Sequence, residues 1–203
     1  MKEKKNNLRI LSAVVLVNLI ACFFVPVFGT LSQAAGQGVS QVVIQTNFGN
    51  IEIELASEKA PNTVKNFLQY VNSNFYSGTV FHRVIKGFMI QGGGFTKDMV
   101  QKKTLAPIAI ESNNGLQNVR GTIAMARTGD PNSASSQFFI NTKDNDFLNY
   151  SSPTARGYGY TVFGKVIKGM DVVDKIESVE ISSKGFMGDV PVNPVIIEKI
   201  SVK

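Results

Sequence analysis

The stretch that decides the fold is Phe81-His82-Arg83-Val84-Ile85-Lys86-Gly87-Phe88-Met89-Ile90-Gln91-Gly92-Gly93. Thr79–Ile85 and Phe88–Gln91 read as β-branched and aromatic strands broken at Lys86-Gly87, with Gly92-Gly93-Gly94 expected to end the run. Successive side chains of a strand point to opposite faces, so His82 and Arg83 part company. If Arg83 faces a cleft, His82 faces the core or a neighbouring layer, and a buried structural histidine is the expected reading. A surface ion pair competes with the cleft reading for Arg83. Met89 and Gln91 share one face of their strand, as Gln137 and Phe139 do in Ser136-Gln137-Phe138-Phe139-Ile140-Asn141. Two such faces frame an apolar cleft with amide handles, or are ordinary alternation.

Outward from this stretch, short strands recur. Val39–Gln45 and Ile51–Leu55 flank the turn Asn47-Phe48-Gly49-Asn50, and Glu52 and Glu54 alternate outward from the second strand as a solvated face. Pro61 opens a helix in which Val64, Phe67, Leu68 and Val71 fall at i, i+3, i+4 and i+7. Gly121–Ala126, Gln137–Asn141, Tyr160–Val166 and Val195–Val202 read as further strands, and Met170–Ile176 as a short helix. One mainly β domain is expected, an antiparallel barrel or sandwich with helical caps.

The first 34 residues are a separate object. Lys2, Lys4, Lys5 and Arg9 precede an uncharged apolar run from Ile10 to Gly29, and small residues follow. This is the pattern of a secretory signal, and Ser32-Gln33-Ala34 places cleavage after Ala34. An uncleaved anchor and a lipoprotein signal at Leu19-Ile20-Ala21-Cys22 compete with it, and all three export the chain. Residues 35–40 then form a short leader before a domain over 41–203, with the periplasm as the expected compartment and the membrane touched only through the N-terminal segment.

The chain of 203 residues has a net charge of +6, one cysteine and one histidine. Residues 1–34 hold four basic residues and one acid, which leaves 17 basic and 14 acidic residues, a net +3, for the rest. The excess is modest and unclustered, so nucleic acid is not an expected partner. One histidine and one cysteine cannot assemble a zinc site from N and S ligands, and no metal or cofactor is expected. A serine nucleophile lacks a basic neighbour other than His82, and the glycine run lacks the Lys-Ser/Thr of a phosphate loop.

The two segments quoted first, with Gly121-Thr122-Ile123-Ala124-Met125-Ala126 and Val162-Phe163-Gly164-Lys165-Val166 followed by Gly169-Met170-Asp171-Val172-Val173, resemble the cyclophilin family of peptidyl-prolyl isomerases. The likeness runs from about Gln41 to Lys203, and the Asn145-Asp146-Phe147-Leu148 segment is similar to the bacterial branch. It implies a closed eight-stranded antiparallel β-barrel capped by two α-helices, and a monomeric enzyme acting on proline-containing chains.

Carried over position by position, the resemblance makes Arg83 catalytic. Phe88, Met89, Phe139 and Leu148 become walls of a proline pocket, Gln91 and Gln137 polar anchors, and Ala126 and Arg127 part of a backbone groove. Phe147 stands where many relatives have tryptophan, which implies weak binding of cyclosporin because the indole N–H is missing. Tyr160 stands where many have histidine. The alternative is a module of the same fold that holds proline-containing segments without turnover.

Overall fold

The computed structural model describes residues 41–203; the expected signal and leader lie outside them. The N-terminal hairpin comprises β1 (Gln41–Thr46) and β2 (Gly49–Leu55), joined by a two-residue turn. Val42, Ile44, Ile51 and Ile53 are fully buried, and Glu52 and Glu54 lie outside, where Lys203, Lys168 and Lys165 meet them. Helix α1 (Pro61–Asn72) follows, then β3 (Thr79–Ile85), β4 (Met89–Thr96), β5 (Thr122–Met125) and β6 (Phe138–Asn141). The remaining elements are β7 (Val162–Lys168), α2 (Met170–Glu177), β8 (Ile181–Lys184), β9 (Met187–Pro191) and β10 (Ile196–Val202).

Eight strands close into an antiparallel barrel in the order β1-β10-β3-β4-β6-β5-β7-β2, while β8 and β9 form a separate hairpin. Closure leaves no free edge among the eight. Phe67, Phe81, Phe138 and Phe163 sit in the core with no exposed surface. Phe138 meets Phe67, Tyr76 and Phe81 edge-on at 5.6–6.0 Å, a favoured geometry for aromatic quadrupoles.

Helix α1 begins at Pro61 as its sequence predicts, and its buried face adds Tyr70 to Val64, Phe67 and Val71, with Leu68 half-buried. Ala60 at its N-cap has no side-chain acceptor, so the free N–H groups are met from elsewhere. Glu111 accepts from the Asn62 and Thr63 amides at 3.1 and 2.8 Å and from the Thr63 hydroxyl at 2.7 Å. A carboxylate there also complements the helix dipole. Among the described residues, no helix is long and apolar enough to cross a membrane.

Two expectations need correction. Gly92-Gly93-Gly94 does not end a strand; β4 runs through it to Thr96. The glycines are interior because neighbours occupy the space of their missing side chains. A Cβ on Gly94 would lie 2.5 Å from Gln137 Cγ, and one on Gly93, at φ +82°, 2.8 Å from the Phe138 ring. The seventh strand starts at Val162 rather than Tyr160, since the Tyr160 amide donates to the Leu148 carbonyl at 2.9 Å. The β8–β9 hairpin had no counterpart in the sequence reading.

Candidate functional site

Strand register assembles the site. Arg83 on β3 pairs with Gln91 on β4, Gln91 with Phe139 on β6, Phe139 with Ala124 on β5, and Ala124 with Val162 on β7. The five form one row across five strands, on the face opposite the barrel core. Met89, Ala124, Phe139, Leu148 and Val162 make a second apolar cluster there, with Phe88, Ala126 and Tyr160 packed against it.

A cavity of about 330 Å³ opens on this row. Its apolar walls are Phe88, Met89, Phe139 and Leu148, and Arg83, Gln91, Ala126, Arg127 and Tyr160 complete the lining. Nine of the eleven residues singled out from sequence thus surround one space. Gln137 and Phe147 do not. Gln137 stands behind, its Oε1 accepting from Gln91 Nε2 at 3.0 Å. Phe147 stacks on Phe88 at 5.6 Å and is 75% exposed, so it flanks the rim.

The walls are tied from beneath by a buried amide network. Asn118, Asn141 and Asn145 are at most 2% exposed. Asn145 Nδ2 donates to the Phe88 carbonyl at 2.9 Å and to Asn141 Oδ1 at 2.8 Å. Asn141 Nδ2 donates to Asn118 Oδ1 at 3.2 Å and Thr122 Oγ1 at 2.9 Å. Asn118 Nδ2 reaches the carbonyls of Leu148 and Tyr160 at 3.1 and 3.4 Å. Three wall residues are therefore held by their backbones, and sequence reasoning gave the network no role.

Arg127 is committed to the loop above the cavity. Its guanidinium donates to the carbonyls of Gly159, Thr128 and Ala155 and lies 4.9 Å over the Tyr160 ring. Tyr160 meets Phe139 edge-on at 5.5 Å. Arg83 differs: its ionic contact is Asp189 Oδ2, 3.6 Å from Nε, and its side chain stays 42% exposed.

His82 takes the other side of β3, as alternation predicts, and is 6% exposed against Phe95. Burial in apolar surroundings lowers its pKa from 6.5 to about 4. The unfolded chain therefore binds a proton that the folded chain refuses between those values, so stability is full above pH 6.5 and falls as pH drops towards 4. The loss amounts to roughly 3 kcal/mol over the window. Because this is the sole histidine, urea unfolding of His82→Gln is expected to lose the slope between pH 6.5 and 5. Turnover is expected to stay flat between pH 6 and 8, and a bell-shaped profile would show that a proton moves in the reaction.

The sequence and the fold both recur in known proteins. Residues 41–202 match the family described as cyclophilin type peptidyl-prolyl cis-trans isomerase/CLD. A peptidyl-prolyl cis-trans isomerase of Acinetobacter baylyi is 57% identical over 175 residues, covering 86% of this chain and 92% of the relative. Peptidyl-prolyl cis-trans isomerase B of Escherichia coli is 57% identical over 161 residues, covering 79% of this chain and 98% of its own. A crystal structure of a Cryptosporidium parvum cyclophilin-type isomerase, determined in the presence of the dipeptide Ala-Pro, superposes with a TM-score of 0.66 at 31% identity, covering 80% of this chain and 98% of that one. With the family match spanning nearly the whole described region and bacterial relatives 57% identical over most of it, the chain belongs to the cyclophilin-type peptidyl-prolyl cis-trans isomerases, in their bacterial branch.

Proposed function

We propose that the enzyme assists folding outside the cytoplasm, rotating X–Pro bonds in unfolded or extended chains with Arg83 as its catalytic residue. The observation that carries this reading is a half-exposed arginine lining a cavity with apolar walls on one side and amide and guanidinium groups on the other, whose lining, among the described residues, holds no carboxylate, thiol or histidine. That inventory suits a reaction in which no bond to the substrate is made. An X–Pro bond rotates against a barrier of about 18–20 kcal/mol, because twisting destroys amide resonance. In the twisted state the prolyl nitrogen becomes pyramidal and regains a lone pair. A guanidinium N–H can donate to that lone pair and has little to donate to in the planar ground state, so the interaction favours the transition state selectively. The twisted amide is also less polar than the planar one, so walls of Phe88, Met89, Phe139 and Leu148 favour it as well. Gln91, held by Gln137, and the backbone near Ala126 and Arg127 anchor the chain on either side.

The uncharged run of residues 10–29 and the small residues after it support export. The expected experiment is refolding of an exported protein whose slow phase is limited by proline isomerisation, tens to hundreds of seconds unaided. Catalytic amounts of the enzyme shorten that phase. A slow phase shortened only at stoichiometric enzyme would point to the holding module instead. Mass spectrometry of the native N-terminus is expected to show Ala35; a lipidated Cys22 or an intact Met1 would overturn cleavage after Ala34.

Phe147 carries a specificity prediction. It lies on the rim beside Phe88 without a hydrogen-bond donor. Phe147→Trp restores an indole N–H and is expected to tighten cyclosporin about tenfold, the worth of one hydrogen bond of roughly 1–1.5 kcal/mol. Titration calorimetry reads this directly, and an unchanged Kd would remove the donor as the explanation.

A further inference from the structure

Three arginines among the described residues, Arg83, Arg120 and Arg127, are used in two different ways. Arg127 spends three of its nitrogens on backbone carbonyls, and Arg120 donates to the Thr142 carbonyl and to both oxygens of Asp174. Both guanidinium groups act as fasteners within the protein. The Arg83 side chain shows no hydrogen bond among the described residues; its contact is the Asp189 carboxylate, which approaches Nε at 3.6 Å and leaves both terminal NH₂ groups without a partner there. At that separation the contact is ionic rather than a hydrogen bond.

Asp189 comes from outside the barrel. It belongs to β9 of the β8–β9 hairpin, where its side chain is 39% exposed beside Arg83 while the next residue, Val190, is buried. The backbone of Asp189 sits at φ 59°, one of three non-glycine residues with positive φ among those described. Aspartate and asparagine tolerate that region best among residues with a side chain. A left-handed backbone position, on a hairpin separate from the eight-stranded sheet, thus ends in a carboxylate beside an exposed arginine.

We infer that Asp189 is a positioning residue for Arg83. It holds the inner Nε of the fork and turns the two outer NH₂ groups towards the bound proline. An exposed ion pair contributes little to folding stability, so the carboxylate acts on orientation rather than on the fold. The inference rests on the catalytic reading of Arg83, which the Arg83→Ala variant tests by itself.

The experiment uses Asp189→Asn, which keeps the size and the backbone preference and removes the charge, with Asp189→Gly as a second variant suited to positive φ. On a short X–Pro peptide, kcat is expected to fall about five- to tenfold with KM within twofold, while the urea midpoint stays in place. The ¹⁵Nε–¹Hε order parameter of the Arg83 side chain is expected to drop in both variants. In an Arg83→Ala background, Asp189→Asn is expected to cause no further loss. The inference is overturned if kcat of Asp189→Asn stays within twofold of the parent, if kcat falls while the Arg83 order parameter is unchanged, or if the loss persists without Arg83. If Arg83→Ala itself is fully active, the catalytic reading fails instead, and the two failures are told apart.

Discussion

Arg83→Ala is expected to lower kcat/KM on a short X–Pro peptide about a hundredfold, almost wholly through kcat, with the fold intact. A hydrogen bond to a charged group is worth about 1.5–3 kcal/mol, and each 1.4 kcal/mol is a factor of ten in rate. One such bond therefore accounts for roughly ten- to 150-fold. The loss appears in kcat because the acceptor, the pyramidal nitrogen, exists only near the transition state. Residual catalysis should remain, since the apolar walls and the groove do not involve Arg83. Arg83→Lys keeps the charge but loses the planar fork, and should fall between parent and alanine. The side chain is 42% exposed, so truncation leaves no buried cavity to destabilise the barrel. A loss confined to KM would make Arg83 a binding group, and an unchanged rate would remove it from the mechanism.

Asn141→Leu is expected to cost about 3 kcal/mol of stability, because leucine fills a similar volume but satisfies none of the buried partners. Asn118 Oδ1 loses its donor from Asn141, Thr122 Oγ1 loses another, and Asn145 Nδ2 keeps only the Phe88 carbonyl. Each unsatisfied buried group costs about 1–3 kcal/mol. For a domain of this size, a loss of that order lowers Tm by about 10 °C. KM for peptide should rise alongside, since the Phe88 and Leu148 backbones are held through Asn145 and Asn118. The exposed Asn72→Leu on α1 provides the comparison and should shift Tm by no more than a degree or two. Calorimetric melting of both variants measures the difference; an Asn141→Leu protein that melts with the parent would show the network to be dispensable.

The barrel was legible where physics is local. Val42 and Ile44 against Ile51 and Ile53 announce a half-buried hairpin, and Val64, Phe67 and Val71 announce one face of a helix. His82 and Arg83 were placed on opposite faces by alternation alone. Reading failed where a residue's role is set by something distant. The glycine run looked like a stop because local rules cannot see that Phe138 and Gln137 occupy the missing side-chain space. Glu111 caps a helix that begins 50 residues earlier in the chain. All four residues of β8 are exposed, so no apolar periodicity marked the hairpin that delivers Asp189. The composition of the cavity came through family resemblance, and the row from Arg83 to Val162 supplies its physical form.

The strand that opens the described region and the strand that closes it are neighbours. β1 pairs with β10 from Val42 against Val202 to Thr46 against Ile197, and the Lys203 amide donates to the Gln41 carbonyl. The cylinder is thus sealed by its first and last segments, so no shorter length of chain from the N-terminal side can complete it. While the final strand is still being synthesised, β1 and β3 each lack a partner and the ring stays open. Such long-range closure is slow, because loop entropy is lost before the pairing that offsets it. Barrel closure therefore comes only after the last strand is available, in whatever order the other seven have paired.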